Sequence, residues 1–276
     1  MYHKLQCSHQ EFQPGLRIQG DPRRLRLKVE AKASGLWPIS GLPHRAKIFL
    51  SLKLKFTPLS SMSNRLILKQ KLIETIAAQH AKHRIADNTP VTDNKIEDGA
   101  NQDIQNLTSD LEQKNPFPRP LFYSPNLLQG IWKLLYANAR EIRSLTRLPL
   151  GFELDSVYQV IDVPSGSFLN QAFCHQKLAR LAGYVNVTAE FKVAPSGGDG
   201  LPDRRIDVFF QKRSIFIERI FGFTPSSDQP WKNFDARNPA GRQPYLNVTY
   251  LDEDLRIGRG GEGSLFILTR AEEMVR

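Results

Sequence analysis

Val185-Asn186-Val187-Thr188-Ala189-Glu190-Phe191-Lys192-Val193 alternates strictly between apolar and polar residues. Side chains on an extended strand point to opposite faces in turn, so this stretch is a strand with one dry face and one wet face. Val187 and Phe191 belong to the dry face. The same two-residue period recurs on both sides. Upstream it predicts strands over 131–136, 156–163 and 168–175. Downstream it predicts strands over 205–210, 214–220, 246–252, 255–259 and 264–269. Turn formers separate them, most clearly Gly197-Gly198-Asp199-Gly200. Eight or nine short strands with brief connections make an antiparallel all-β barrel or sandwich. The proline-bearing stretch 224–244 reads as a loop.

Before Gly130 the period is helical. Ser63 is a plausible N-cap, and Leu66, Leu68, Leu72, Ile73 and Ile76 follow on one face, predicting a helix over 63–79. Ile104, Leu107 and Leu111 predict a second helix over 100–114, which must stop before Pro116, Pro118 and Pro120. Both amphipathic faces are expected to pack on the β core.

The chain has 276 residues, of which 40% are hydrophobic and 24% charged, an ordinary globular composition. Its net charge of +10 is uneven. Residues 1–61 hold 11 Lys and Arg against 3 Asp and Glu, leaving the remainder nearly balanced. No nucleic-acid-binding motif accompanies the charge, and nucleic acid is not an expected partner. The basic, acid-poor segment 1–61 has three readings: an organelle transit segment, an upstream misassignment with Met62 as the true start, or a disordered arm that touches membranes. The helix signal directly after Met62 slightly favours the second. All three set 1–61 apart from the fold of 62–276. No run reaches the roughly 18 apolar residues that cross a bilayer. Cys7 and Cys174 are too few for a disulfide framework and read as free thiols.

Several stretches imitate active sites. Gly258-Arg259-Gly260-Gly261-Glu262-Gly263 matches the dinucleotide pattern, but a strand-like run follows where a helix is required. It reads as a tight turn. Asp252-Glu253-Asp254 clusters carboxylates without a histidine or metal-ligand partner nearby. Its expected role is an ion-pair network with Arg256 and Arg259 that locks the final strands. His80 and His83 read as a solvated helix end, and no nucleophile motif occurs. No catalytic residue, metal site or cofactor is expected.

Gly130-Ile131-Trp132 stands where helices give way to the first strand. It is similar to the Gly-x-Trp that opens the lipocalin barrel, in which the tryptophan plugs the closed end under an arginine from the end of the barrel. Arg256 is the expected arginine here.

Tyr250-Leu251-Asp252-Glu253-Asp254-Leu255-Arg256-Ile257-Gly258-Arg259-Gly260, followed by Gly263-Ser264-Leu265-Phe266-Ile267-Leu268-Thr269, resembles the C-terminal signature of the plastid lipid-associated (fibrillin) family. Leu68-Lys69-Gln70-Lys71-Leu72, the 111–120 stretch, Leu127 to Tyr136 and Val157 to Ile161 agree in order, so the resemblance covers about residues 62–270 in patches. It is greatest to cyanobacterial members, which often begin near Met-Ser-Asn-Arg-Leu. Two departures stand out: a longer, more polar 87–100 and Pro244-Tyr245-Leu246 where a tryptophan or similar bulky residue is usual.

The resemblance implies a mainly β, lipocalin-like antiparallel barrel over 130–270 with two N-terminal helices. It implies a non-enzymatic protein of thylakoids or lipid globules, with photoprotective roles, that stores quinones, tocopherols or carotenoids. A coat or scaffold protein with no internal ligand is the alternative. A cyanobacterial thylakoid or cytoplasm, or a plastid, is the expected location. The expected partners are an apolar lipid or isoprenoid and a peripheral membrane surface. Inward candidates for a ligand are Trp132, Leu134, Tyr136, Val187, Phe191, Val208 and Phe210. Gly130, Trp132, Asp252, Asp254, Arg256, Gly258, Arg259 and Gly260 form the expected structural signature.

Overall fold

Among the described residues, ten strands form a single sheet that closes on itself. In chain order these are β1 (Val91–Thr92), β2 (Gly130–Ala137), β3 (Phe152–Asp162), β4 (Ser167–Gln176), β5 (Leu181–Pro195), β6 (Pro202–Ile220), β7 (Lys232–Asp235), β8 (Tyr245–Leu251), β9 (Leu255–Gly260) and β10 (Leu265–Ala271). The computed structural model describes residues 59–117, 119–148, 151–176, 181–195, 202–225, 229–236, 243–261 and 263–276. The basic run near Arg23, Cys7 and the turn at 197–200 lie outside the described residues.

Eight strands make the barrel, in the order β2-β10-β9-β8-β6-β5-β4-β3, and the β2–β3 pairing closes it. Every barrel pairing is antiparallel. Of the two architectures left open by the alternation, the barrel is the one formed, as the lipocalin likeness implies. Closure removes the free edges that an eight-stranded sheet would otherwise present. β1 adds a short parallel pairing to β2, and β7 pairs only with β6.

Two runs expected as separate strands, 205–210 and 214–220, are one 19-residue strand, β6. A bulge where Thr188-Ala189 faces Lys212 and Phe210 absorbs the break in alternation. The expected loop 224–244 contains β7. β6 meets β8 across only three register pairs, Arg205–Asn247, Ile206–Leu246 and Asp207–Tyr245. Beyond Val208, β6 no longer pairs with β8 and runs on as an arm, with β5 along one edge and the short β7 on the other.

The helices are α1 (Leu59–His83), α2 (Asp98–Glu112), α3 (Pro120–Tyr123) and α4 (Arg140–Leu145). α1 begins four residues before Ser63, so Ser63 lies inside the helix rather than capping it. None of the described helices is long and apolar enough to cross a membrane. Leu72 and Ile76 of α1 and Ile104, Leu107 and Leu111 of α2 are buried, whereas Leu66 and Ile67 are exposed.

Two apolar clusters result. The inner one fills the barrel with Trp132, Leu134, Leu154, Phe168, Ala172, Phe191, Val208 and Leu268, among others. The outer one lies between the helices and the other face of β8, β9 and β10, and includes Leu72, Ile76, Ile104, Tyr250, Leu255, Ile257 and Ile267. β9 shows the division residue by residue: Leu255 and Ile257 face the helices, while Arg256 and Gly258 face inward.

Tyr136 corrects the expected lining. Two-residue spacing from Trp132 and Leu134 points it into the barrel, yet it packs in the outer cluster. Ile267 pairs with Tyr136 and Leu268 with Leu134, so Leu135 is an extra, bulged residue that reverses the alternation. The Tyr136 hydroxyl bonds instead to the Asn101 side chain of α2.

Candidate functional site

Trp132 sits at the floor of the barrel, fully buried, and its indole N–H donates to the Leu128 carbonyl at 2.8 Å. Leu128 belongs to a 3-10 turn, Pro125–Leu128, that packs with α3 under the floor. Two guanidinium groups approach the ring. Arg256 lies 5.1 Å from its centroid and Arg270 4.4 Å. Arg256 is the arginine the sequence singled out. Arg270, at the end of β10, was not, and it is the closer of the two.

The two arginines differ in what holds them. Arg270 donates to three backbone carbonyls, those of Leu127, Gln129 and Glu253, and so ties the turn below the floor to the turn between β8 and β9. Gly130 makes room for it. That residue has φ +114°, and a Cβ there would sit 3.0 Å from Arg270 Nη1. Arg256 is buried inside the barrel and donates to the Gln159 side chain on β3. Its Nε and Nη1 have no hydrogen-bond partner among the described residues. Burial, with the Arg270 charge adding to it, pulls its pKa down to about 9. The likeness to the lipocalin opening pointed to Arg256 as the arginine over Trp132. Nothing local marked it as a cation without a carboxylate.

The carboxylate cluster is a joint. Asp252 accepts from Lys69 Nζ of α1 at 2.9 and 3.0 Å, from the Tyr250 hydroxyl at 2.6 Å, and from the backbone N–H groups of Asp254 and Leu255. Burial raises its pKa, but the hydrogen bonds from Tyr250, Asp254 and Lys69 outweigh this and hold it at about 2. Burial and the adjacent carboxylate push the Tyr250 phenol far above its usual range. Asp254 also meets Lys69.

The expected pairing with Arg256 and Arg259 is therefore replaced. Strand alternation sends Arg256 inward, and Arg259 crosses outward to Glu112 of α2, with Nε 2.8 Å from Oε1. With four donors on one carboxylate, Asp252 has no free lone pair for acid–base chemistry. Gly258 and Gly260 complete the strand: a Cβ on Gly258 would come within 2.9 Å of Leu246. The glycine-rich run forms the β9–β10 hairpin, closed by Gly260 N–H to the Ser264 carbonyl, with no helix after it.

The expected lining residues separate by depth. Trp132, Leu134, Phe191 and Val208 are buried in the inner cluster. Phe210 is half-buried against its edge, and Val187 is half-buried where β5 enters the arm. Cys174 is a buried free thiol in the inner cluster, its pKa raised to about 11 by burial. Among the described residues, no group of histidine, cysteine and carboxylate side chains could hold a metal ion.

The family model PAP_fibrillin matches residues 67–269, which takes in most of α1, all of α2, the Trp132 floor and the β9–β10 hairpin. The chain belongs to the plastid lipid-associated (fibrillin) family. It is similar to the probable plastid-lipid-associated protein 1, chloroplastic, of Arabidopsis thaliana, at 26% identity over 91% of this chain and 93% of that protein. It is also similar to plastoglobulin-1, chloroplastic, of Pisum sativum, at 31% identity over 61% of this chain and 54% of that protein. A third relative is the chromoplast-specific carotenoid-associated protein of Cucumis sativus, 27% identical over 73% of this chain and 71% of that protein. Fibrillin relatives thus match both the helical joint and the barrel of this chain.

Proposed function

We propose that this fibrillin is a non-enzymatic protein that holds or organises apolar lipids, of the quinone, tocopherol or carotenoid type, at photosynthetic membranes. The observation that carries the reading is a closed barrel with an apolar interior in a family whose relatives are named for plastid lipids and carotenoids. The half-buried Val187 and Phe210 mark the side on which an apolar ligand would meet the barrel. Each methylene moved from water onto such a surface contributes about 0.8 kcal/mol. Carboxylates that resemble a catalytic cluster are consumed by the joint at Lys69, which supports a non-enzymatic role.

The second reading is a coat or scaffold protein. The packing of Trp132, Leu134, Phe168, Phe191 and Val208 against one another favours it, because the barrel floor is filled by its own side chains. Mass spectrometry of the intact protein from native membranes, with its extracted lipids, separates the two. A stoichiometric apolar lipid establishes the carrier reading. Lipid-free protein that binds apolar probes no better than a control establishes the coat.

For residues 1–61 we propose a plastid-targeting extension apart from the domain of 62–276. An alignment spanning 91% of this chain reaches into that basic segment, since 62–276 alone is too short to account for it, and the protein aligned is chloroplastic. This supports the transit reading over a misassigned start.

A further inference from the structure

The arm that leaves the barrel carries aromatic side chains in water. Phe221 is 69% exposed, Phe223 79%, Trp231 66% and Phe234 41%. These are large apolar groups that a fold gains nothing by displaying, and they lie on the turn that follows β6, just before β7 and on β7 itself. Ile220 and Phe223 exchange both backbone hydrogen bonds, at 2.8 and 2.9 Å, around a two-residue turn, Phe221-Gly222. Both turn residues have positive φ, +48° and +86°. Asn or Gly ordinarily takes the first position of such a turn, since a bulky side chain is strained there. An aromatic ring held in that conformation at the tip of a hairpin has no packing reason.

Cations are interleaved with the rings. Arg213 pairs in register with Phe234, and Ile215 with Lys232, whose ammonium lies 5.0 Å over the Phe234 ring. Arg213, Arg219 and Lys232 are all exposed. Of the acidic groups nearby, Glu218 is bridged to Arg276. Trp and Phe beside Lys and Arg match a lipid interface, where rings enter the headgroup and acyl boundary and cations meet anionic headgroups.

We propose that the β6–β7 arm is the membrane-docking surface of this protein, inserting Phe221, Phe223 and Trp231 into the interface of an anionic lipid layer. The inference rests on the lipid-associated reading above and adds where the lipid surface is met. The arm extends from the same wall that carries Val187, so docking there would bring the barrel rim next to the layer.

The test is flotation of the full chain with vesicles of phosphatidylcholine, with and without phosphatidylglycerol. Replacing Phe221, Phe223 and Trp231 together by Ser should lower the vesicle-bound fraction by about tenfold or more with an unchanged thermal transition. Arg213→Glu with Lys232→Glu should weaken the preference for phosphatidylglycerol, with the basic segment 1–61 retained in parent and variant alike. Leu66→Ser with Ile67→Ser, on the exposed face of α1, should bind as the parent does. In a Trp37→Phe background, brominated acyl chains should quench a fluorescence component that Trp231→Phe removes, since the remaining tryptophan, Trp132, is buried. Binding that survives the triple replacement, with Trp231 unquenched, overturns the arm proposal and leaves lipid association standing. Parent protein that binds neither vesicle type overturns both. A parent that self-associates, with a monomeric triple variant that still floats, assigns the arm to a protein contact and overturns the proposal.

Discussion

Asp252 is the residue on which the helical layer and the barrel meet. Its pKa of about 2 lies below the value near 3.9 expected in the unfolded chain. The unfolded state therefore binds its proton at higher pH than the folded state does. The stabilisation is complete above about pH 5 and is lost as the pH falls through 2, about 2–3 kcal/mol in total. Asp252→Asn should flatten this acid limb in urea unfolding measured at a series of pH values. Lys69→Met should destabilise by about 2–4 kcal/mol, because it leaves a buried carboxylate without its cation.

The two arginines at Trp132 should respond in opposite ways. Arg270→Met removes three hydrogen bonds to carbonyls, and a loss of about 2 kcal/mol is expected in thermal unfolding. Arg256→Met removes a buried cation that no carboxylate among the described residues balances. It should be neutral or stabilising, within about 1 kcal/mol. If the measured loss at Arg256 exceeds that at Arg270, the buried charge is better compensated than its contacts indicate.

At the level of elements, β6 is two structures in one strand. Its first half is barrel wall, paired on both sides. Its second half is arm, held by β5 and by the four residues of β7. Local stability follows the number of buried contacts, so amides of 212–220 and 232–235 should exchange with deuterium faster than those of 255–260 and 265–271. Equal protection in the two regions would show that the arm is packed as tightly as the barrel. Bulges shape the same elements. The one at Leu135 turns Tyr136 out of the barrel and hands its hydroxyl to α2. A two-residue period cannot announce this, because the bulge is imposed by the partner strand β10.

For the whole molecule, the described core begins with α1 at Leu59 and ends on β10 and the segment after it, where the Val275 N–H and carbonyl both meet the Tyr158 hydroxyl. Removing residues 1–58 should leave the unfolding midpoint within about 2 °C of the full chain, a small shift for a domain this size. A larger fall would place the basic segment within the fold.

The amino-acid order by itself determined the mainly β character, the helices before Gly130 and the family. Each rests on local periodicity or on a run of residues that carries its own meaning. It also showed the glycine-rich run to be a turn, because the residues that follow decide that question. Only the tertiary structure decided which cation answers which anion. Asp252 pairs with Lys69, 183 residues away, and Arg259 with Glu112 on a different helix. Arg256, expected in that network, is inside the barrel instead. Proximity along the chain suggested the wrong partners because strand alternation sends neighbours to opposite faces. The bulges, the short pairing between β6 and β8, the β2–β3 closure and the exposed arm likewise arise from strands meeting across the sheet, which no window of sequence contains.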